Sequence, residues 1–214
     1  DEEVSFDLGL PVIGTSVVDV PRDRVQNELG DRLRNSSFTL GYDLEHQFSD
    51  SWGLNHGFRY VAQDYDVIVA LTAGFDEATG NVLRAFSDRI YRSDDYAFQT
   101  SVVGEFNTGS IQHTLLAGFD IVFNRFYEPF TRIDFTAPSV LNIFNPVYAA
   151  SRPDLSNLPP INSGNTARDR YGVFLQDQIA FGEQFILVGS LRYDAISFRD
   201  LRNSTNNRND TAWS

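Results

Sequence analysis

Along most of this chain apolar and polar residues alternate, the period of a strand with two unlike faces. Three short turns interrupt the alternation, each held between large apolar residues: Phe48-Ser-Asp-Ser-Trp52, Phe106-Asn-Thr-Gly-Ser-Ile111 and Phe181-Gly-Glu-Gln-Phe185. Paired outward from each turn, the apolar positions meet. Phe48 falls opposite Trp52, Tyr42 opposite Phe58 and Leu40 opposite Tyr60. In the second hairpin Phe106 falls opposite Ile111, Val102 opposite Leu115 and Phe98 opposite Phe119. In the third, Phe181 meets Phe185, Ile179 meets Leu187 and Leu175 meets Leu191. The longer turn moves the apolar set from even to odd numbers, and the two shorter turns preserve parity. A hairpin register requires this, because a slip of one residue sends every side chain to the opposite face.

The pattern predicts six strands, at about residues 37–48, 52–73, 82–106, 111–127, 169–181 and 185–199. Asp76-Glu-Ala-Thr-Gly80 reads as a hairpin tip. Residues 1–35 are punctuated by Gly9, Pro11, Gly14, Pro21 and Gly30 and read as a loop, with Val4–Leu8 as a conceivable seventh strand. Residues 128–167 hold Pro129, Pro138, Pro146, Pro153, Pro159 and Pro160, a density that predicts a second long loop and no central strand. Residues 200–212 are rich in Asn, Arg and Asp and read as a third loop. Nothing in the composition separates two domains.

Opposite the apolar stripe the first hairpin carries Thr39, Asp43, Glu45, Gln47, Asn55, Arg59 and Gln63. A half-buried sheet of a soluble protein has the same alternation. Connection lengths separate the two cases. Short turns occur at one end of the hairpins, and long segments (66–94 with its inner hairpin, and 128–167) join the other ends. This predicts an all-β fold: an antiparallel up-and-down transmembrane β-barrel segment in a bacterial outer membrane, about six strands of a larger barrel. Residues 36–199 form its wall, with short periplasmic turns and long extracellular loops at 1–35 and 128–167. Phe48, Trp52, Phe106, Phe181 and Phe185 then form a periplasmic aromatic girdle, consistent with an aromatic content of 14%.

Composition narrows the chemistry. No run approaches the ~18 apolar residues of a membrane helix. A net charge of -12 opposes nucleic-acid binding, which needs a basic footprint. Cysteine is absent, which removes disulfides, thiolate metal sites and cysteine nucleophiles. Lysine is absent too, and all 17 basic residues are arginine. Genome composition explains that bias, or guanidinium forks that grip lipid phosphates or ligand carboxylates. Methionine is absent and no signal-peptide pattern opens the chain, so it is expected to be a piece of a longer protein.

No catalytic constellation appears, and the chain is not expected to be an enzyme. His46, His56 and His113 lie near short turns on the apolar face and lack metal-ligand spacing, so they read as interfacial residues and no metal site is expected. Asp43 and Glu45 share a strand face, as a glycosidase pair might, but the chemistry needs opposed carboxylates and lumen lining is the simpler reading. Asp177 is an acid on the predicted lipid face, opposite Gly189. It either hydrogen-bonds at the interface or is turned inward by a bulge.

Tyr42-Asp-Leu-Glu-His-Gln-Phe-Ser-Asp-Ser-Trp-Gly-Leu54 followed by Phe58-Arg-Tyr60 resembles a barrel hairpin of the TonB-dependent ferric-siderophore receptors, in their ferrichrome-receptor-like branch. Arg170-Tyr-Gly-Val-Phe-Leu-Gln-Asp-Gln178 and Leu191-Arg-Tyr-Asp194 resemble a second hairpin of the same barrel, and Gly9-Leu-Pro-Val-Ile-Gly14 resembles the loop before the first. The resemblance implies a barrel of about 22 strands around a plug domain. It implies uptake of a ferric siderophore, hydroxamate in type, driven by the proton-motive force through the TonB-ExbB-ExbD complex. Neither a plug nor a TonB box is visible in these residues. Iron would arrive inside its ligand, so no protein-bound cofactor is expected. Extending each strand's lumen parity past the membrane names the vestibule candidates Tyr65, Arg89, Tyr91, Phe126 and Arg170. Two other readings share parts of the pattern. A passive or sugar-selective porin has the same wall without a plug, and a soluble β-sandwich binding module buries the aromatic stripe.

Overall fold

The computed structural model describes residues 2–5, 9–28, 30–148, 151–161, 164–182 and 184–214; the side chains of 2–5, 130, 137 and 138 lie outside the description. Its main strands are β4 (Arg32–Ser49), β5 (Trp52–Asp76), β6 (Asn81–Thr108), β7 (Ile111–Asn142), β8 (Asn165–Phe181) and β9 (Phe185–Asp200). Four short strands accompany them: β1 (Glu2–Ser5), β2 (Val12–Ile13), β3 (Ser16–Val17) and β10 (Arg208–Trp213). Eight strands form one sheet in the order β1-β4-β5-β6-β7-β8-β9-β10, an antiparallel meander in which chain neighbours are sheet neighbours, and β2 and β3 form a separate ribbon. No α-helix occurs among the described residues.

The registers follow the alternation. β8 and β9 pair Phe181 with Phe185, Ile179 with Leu187 and Leu175 with Leu191. Gly182 carries the turn at φ +66°, a backbone region that other residues enter only with strain; Glu183, also in this turn, lies outside the described residues. In the first hairpin the Tyr42 and Phe58 rings sit 5.9 Å apart, as the predicted pairing requires. The second hairpin differs. β6 runs to Thr108 and β7 starts at Ile111, so the turn is only Gly109-Ser110, with Gly109 at φ +65°. Phe106 therefore stacks on His113 (4.8 Å between centroids) rather than meeting Ile111. Two strand residues had been read as turn, and a shift of two leaves the faces intact.

Other expectations fail for local reasons. β7 continues to Asn142 through Pro129 and Pro138, where a loop was expected from residue 128. Its pairing with β8 ends at Tyr127↔Asn165, so a residue without an N–H interrupts no β8 ladder beyond that point. Residues 1–35, read as a loop, contain three short strands and the start of β4; Glu2–Ser5 pairs with Arg32–Asn35. Gly and Pro punctuation hid these pairs. Residues 208–212, within the segment 200–212 read as loop, belong to β10, which pairs with β9 from Arg208↔Phe198 to Trp213↔Tyr193. This strand is too polar to show the alternation on which strand recognition rests.

The chain divides into two compact units. One comprises Asp1–Ser37, Gln63–Arg92 and Glu128–Ser163, and the other Phe38–Ala62, Ser93–Tyr127 and Gly164–Ser214. The first has a conventional interior. Val18, Val82, Leu141 and Ile143 form one buried cluster, and Ala70, Phe86 and Leu155 a second. A buried ion pair ties its segments together: Arg84 contacts Glu28 at 2.9 Å, both side chains almost fully enclosed. Arg84 also donates to the Asn27 carbonyl at 2.9 Å and to Ser139 Oγ at 2.7 Å. Asp31 accepts from the Ala70 backbone N–H at 2.7 Å and from Arg152, whose guanidinium lies over the Phe86 ring. The second unit is inverted. Of the eleven buried apolar residues among those described, ten lie in the first unit and only Ala167 in the second, while Leu40, Tyr42, Leu44, Val173, Leu187 and Leu191 are each at least half exposed.

Breaking the buried pair tests this account of the first unit. Removing one partner of such a pair leaves a buried charge uncompensated, typically a loss of ~3–5 kcal/mol. Glu28→Ala in the full-length protein should expose residues 1–37 to protease while the barrel keeps its heat-modifiable gel mobility. Glu28→Leu combined with Arg84→Met should restore most of the protection.

Candidate functional site

The second unit presents two faces, and each carries chemistry. On the apolar face the residues flanking the short turns are exposed aromatics: Phe48, Trp52, Phe106, Phe181 and Phe185. Trp52 lies across Gly104, where an added Cβ would fall 2.3 Å from its ring. Toward the opposite end of the same face come three cross-strand ring pairs, Tyr60–Tyr96 (4.8 Å), Phe123–Tyr171 (6.0 Å) and Tyr193–Trp213 (4.7 Å). On β8 the span from Phe181 to Tyr171 matches the ~9–11 tilted residues that cross a bilayer. Polar partners begin at this second aromatic row: Tyr60 donates to Asp94 at 2.5 Å, and Arg125 and Arg199 both contact Asp169 at 2.6 Å.

Polar groups inside the apolar band pair with one another, although Asp177 Oδ1 is buried without a hydrogen-bond partner. His56 bridges Tyr42 Oη (3.0 Å) and Thr100 Oγ1 (2.7 Å). His113 Nδ1 lies 2.7 Å from Asp177 Oδ2, and its Nε2 lies 2.7 Å from Thr108 Oγ1. A carboxylate only accepts, so Nδ1 carries the proton and donates to Asp177. Asp177 sits in unbroken register opposite Leu115 and Gly189, so it stays on the apolar face and no bulge turns it inward. No group of three or more potential metal ligands occurs among the described residues.

The polar face is built by register rows. Asp120, Gly172 and Asp194 lie side by side on β7, β8 and β9. Arg192 reaches across the row, binding Asp120 at 2.8 Å and 3.2 Å and Asp194 at 2.6–3.0 Å. Glycine is required at 172, because a Cβ there would fall 2.2 Å from Arg192 Nη2 and 2.8 Å from Asp120 Oδ2. Nearer the long connections, Arg168, Phe198 and Arg208 form another row, with both guanidiniums over the Phe198 ring at 5.9 Å and 5.3 Å. Arg170 and Asp210 flank Ile196 in the adjacent row. β9 departs from the pattern near its turn, where Ile186 and Val188 are exposed on this face.

The five vestibule candidates fall into two groups. Tyr65, Arg89 and Tyr91 belong to the first unit, where the tyrosine rings lie tilted against each other at 5.0 Å and Arg89 Nε donates to Ser87 Oγ at 3.2 Å. Burial pushes the Tyr91 hydroxyl above its ordinary range and Arg89 only partly opposes this, so it stays protonated at neutral pH. Phe126 and Arg170 belong to the second unit, opposite Thr166 and Val122 respectively. Sequence reasoning missed Arg168, Phe198 and Arg208. Arg168 and Phe198 share the strand parity of Arg170 and Arg192 and were recoverable; Arg208 was hidden with β10.

An outward apolar band, an inward polar wall and an up-and-down meander define a membrane β-barrel wall, and the comparisons agree. The description "TonB dependent receptor-like, beta-barrel" matches residues 5–214, and the chain belongs to that family. It is a segment of an outer-membrane receptor barrel. The ferrioxamine B receptor of Salmonella typhimurium is 27% identical over 221 residues, covering 98% of this chain and 30% of that receptor. The metal-pseudopaline receptor CntO of Pseudomonas aeruginosa is 26% identical over 193 residues, covering 88% of this chain and 27% of that receptor. Among solved structures, the ferric preacinetobactin receptor BauA of Acinetobacter baumannii has a TM-score of 0.76 at 17% identity, over 88% of this chain and 28% of that one. FpvA of Pseudomonas aeruginosa, bound to a ferric pyoverdine, has a TM-score of 0.78 at 14% identity, over 98% and 27%. The chain thus spans under a third of the length of these relatives, which are receptors rather than enzymes.

The face assignment has a direct test. An arginine at the mid-bilayer lipid face of a barrel costs ~2–4 kcal/mol, and lumen positions are wetter. Tyr42→Arg and Phe119→Arg should therefore lower the assembled yield of the full-length receptor well below that of Asp43→Arg, measured by heat-modifiable mobility of membrane fractions.

Proposed function

We propose that the full-length protein is an energised outer-membrane receptor for a ferric siderophore, and that this chain supplies part of its barrel wall and vestibule. The observation that carries the reading is the Arg168–Phe198–Arg208 row, a basic and aromatic surface on the polar face of a receptor-family barrel wall. Tyr65, Arg89 and Tyr91 in the first unit, and Phe126 and Arg170 in the second, are each further candidate contacts. Aromatic faces suit the apolar arms of a chelate, and guanidinium forks suit its carboxylate or hydroxamate oxygens. Hydroxamate is the ligand class we favour, on the family resemblance and the ferrioxamine B and ferrichrome receptors among the relatives.

Iron is cargo in this scheme and enters already chelated, so no cofactor of the protein is required. A plug domain and TonB box elsewhere in the full-length protein couple it to TonB-ExbB-ExbD, as in the family, and the proton-motive force drives release into the periplasm. Phe48, Trp52, Phe106, Phe181 and Phe185 anchor the periplasmic rim, where amphipathic rings favour the interface. The long connections lie at the cell surface.

Equilibrium binding of ferric siderophore to the intact receptor tests the site. The Arg89→Ala/Tyr91→Ala/Phe126→Ala variant should bind at least about tenfold more weakly, since a few anchors usually dominate binding. Arg168→Ala/Arg208→Ala should do the same, with assembly verified by gel mobility. Unchanged affinity in both would remove this wall from the binding site.

A further inference from the structure

Where β6 turns into β7, three side chains of the apolar face are linked in one line. Thr108 closes β6, His113 lies near the start of β7 and Asp177 lies on β8. His113 Nδ1 donates to Asp177 Oδ2 at 2.7 Å, so Nε2 of the neutral ring is an acceptor, and Thr108 Oγ1 lies 2.7 Å from it. The threonine hydroxyl therefore donates to that nitrogen. The other carboxylate oxygen, Asp177 Oδ1, is buried without a partner, so the acid's hydrogen bonding is directed at the imidazole. Phe106 stacks on the ring at 4.8 Å, 5° from parallel, and the His113 side chain is only 14% exposed. Thr108, by contrast, is exposed. A hydroxyl, a base within hydrogen-bond reach and a third group that orients the base make up the arrangement of an activated nucleophile.

Depth selects the substrate. Ile111, next across the turn from Thr108, pairs with Phe181, and Phe181 pairs with Phe185. The hydroxyl thus stands beside the rings that mark the boundary between headgroups and hydrocarbon. The acyl esters of glycerophospholipids lie at that boundary, and the exposed Leu175 and Leu187 continue an apolar surface for their chains. The turn Gly109-Ser110 follows the hydroxyl directly and stands outside both strands, so its backbone N–H groups are candidates to hold a developing oxyanion.

We propose that Thr108, His113 and Asp177 form a hydrolase centre for the acyl ester of a glycerophospholipid in the leaflet on the short-turn side, an activity separate from siderophore uptake. His113 Nε2 takes the hydroxyl proton as Thr108 Oγ1 bonds to the ester carbonyl carbon. The bond from that carbon to the glycerol oxygen then breaks, the same proton passes to the leaving oxygen, and a lysophospholipid departs. Water attacks the acyl-threonine, giving one proton to Nε2 and its hydroxyl to the carbonyl carbon. The bond to Oγ1 breaks, Oγ1 regains the proton, and a fatty acid departs. Asp177 touches no reacting atom; it is a positioning residue that fixes the tautomer with Nε2 bare.

The experiment uses the full-length receptor in nanodiscs of phosphatidylethanolamine and phosphatidylglycerol, with lysophospholipid release followed by mass spectrometry. The wild type should release lysophospholipid and Thr108→Ser should keep the activity. Thr108→Val and His113→Phe should each lower the rate at least about hundredfold, the lower end of what a general base supplies. Asp177→Asn should lower kcat at least about tenfold with KM unchanged, whereas loss of a mere brace would leave kcat alone. Thr100→Val, which removes the hydroxyl bound to His56 on the same face, should change nothing. A fluorophosphonate probe should leave an adduct on Thr108 in the wild type and none in His113→Phe, read by peptide mass. Gel mobility establishes that each variant is assembled. A wild type that releases no lysophospholipid overturns the proposal, as does release that persists in assembled Thr108→Val, the mark of a co-purified enzyme. Hydrolysis of a soluble short-chain ester as fast as that of the lipid would assign the site to soluble esters and overturn it as well.

Discussion

Hydrocarbon offers a backbone no hydrogen-bond partner, and the second unit is organised by that fact. Each peptide group within the bilayer must bond to a neighbouring strand, because an orphaned one costs several kcal/mol there. Long strands, tight turns and an unbroken register follow. Between Ile111 and Tyr127 every β7 residue has a β8 partner, and the β8–β9 ladder is equally continuous from Thr166 to Phe181. Once register is fixed, the side chains have only two places to go, and the division into an apolar and a polar face is the result.

The first unit obeys different rules. Its strand segments and connections bury Val82, Phe86, Leu141 and Ile143 as a soluble domain does. The Arg84–Glu28 pair is enclosed there, where backbone and hydroxyl groups can share its polar load. Much of the enclosing material comes from segments whose sequence is dense in glycine and proline. Beside its stretches of β5, β6 and β7 the first unit adds short pairings such as Val12↔Val17 and packed irregular chain.

How much of this was legible depended on whether a strand had to be two-faced. The apolar face was readable because lipid demands an apolar residue at every second position, as at Leu187, Gly189 and Leu191. β10 has no such demand over Arg208-Asn-Asp-Thr211 and looked like a loop. Pro129 and Pro138 misled for a related reason: the rule against proline in a central strand assumes neighbours on both sides, and β7 loses its β8 partner at Tyr127. On the polar face single residues were legible by parity, as with Arg170 and Phe126. Rows were not, because a row such as Arg168–Phe198–Arg208 depends on three strands whose alignment is set by turn lengths. The interior of the first unit was beyond reach, since its ion pair joins positions 56 residues apart.

Gly172 has a mechanical consequence. Its missing side chain lets Arg192 lie flat over β8 and grip an acid on β7 with one side of its guanidinium and an acid on its own strand with the other. The three strands are thereby pinned against sliding. Moving β9 along β8 would tear the guanidinium from Asp120 before backbone bonds found new partners, and the nearest alternative row offers Val122 or Gly118 instead of a carboxylate. A wall assembled this way resists shear through one residue that has no side chain and one that has the longest reach in the chain.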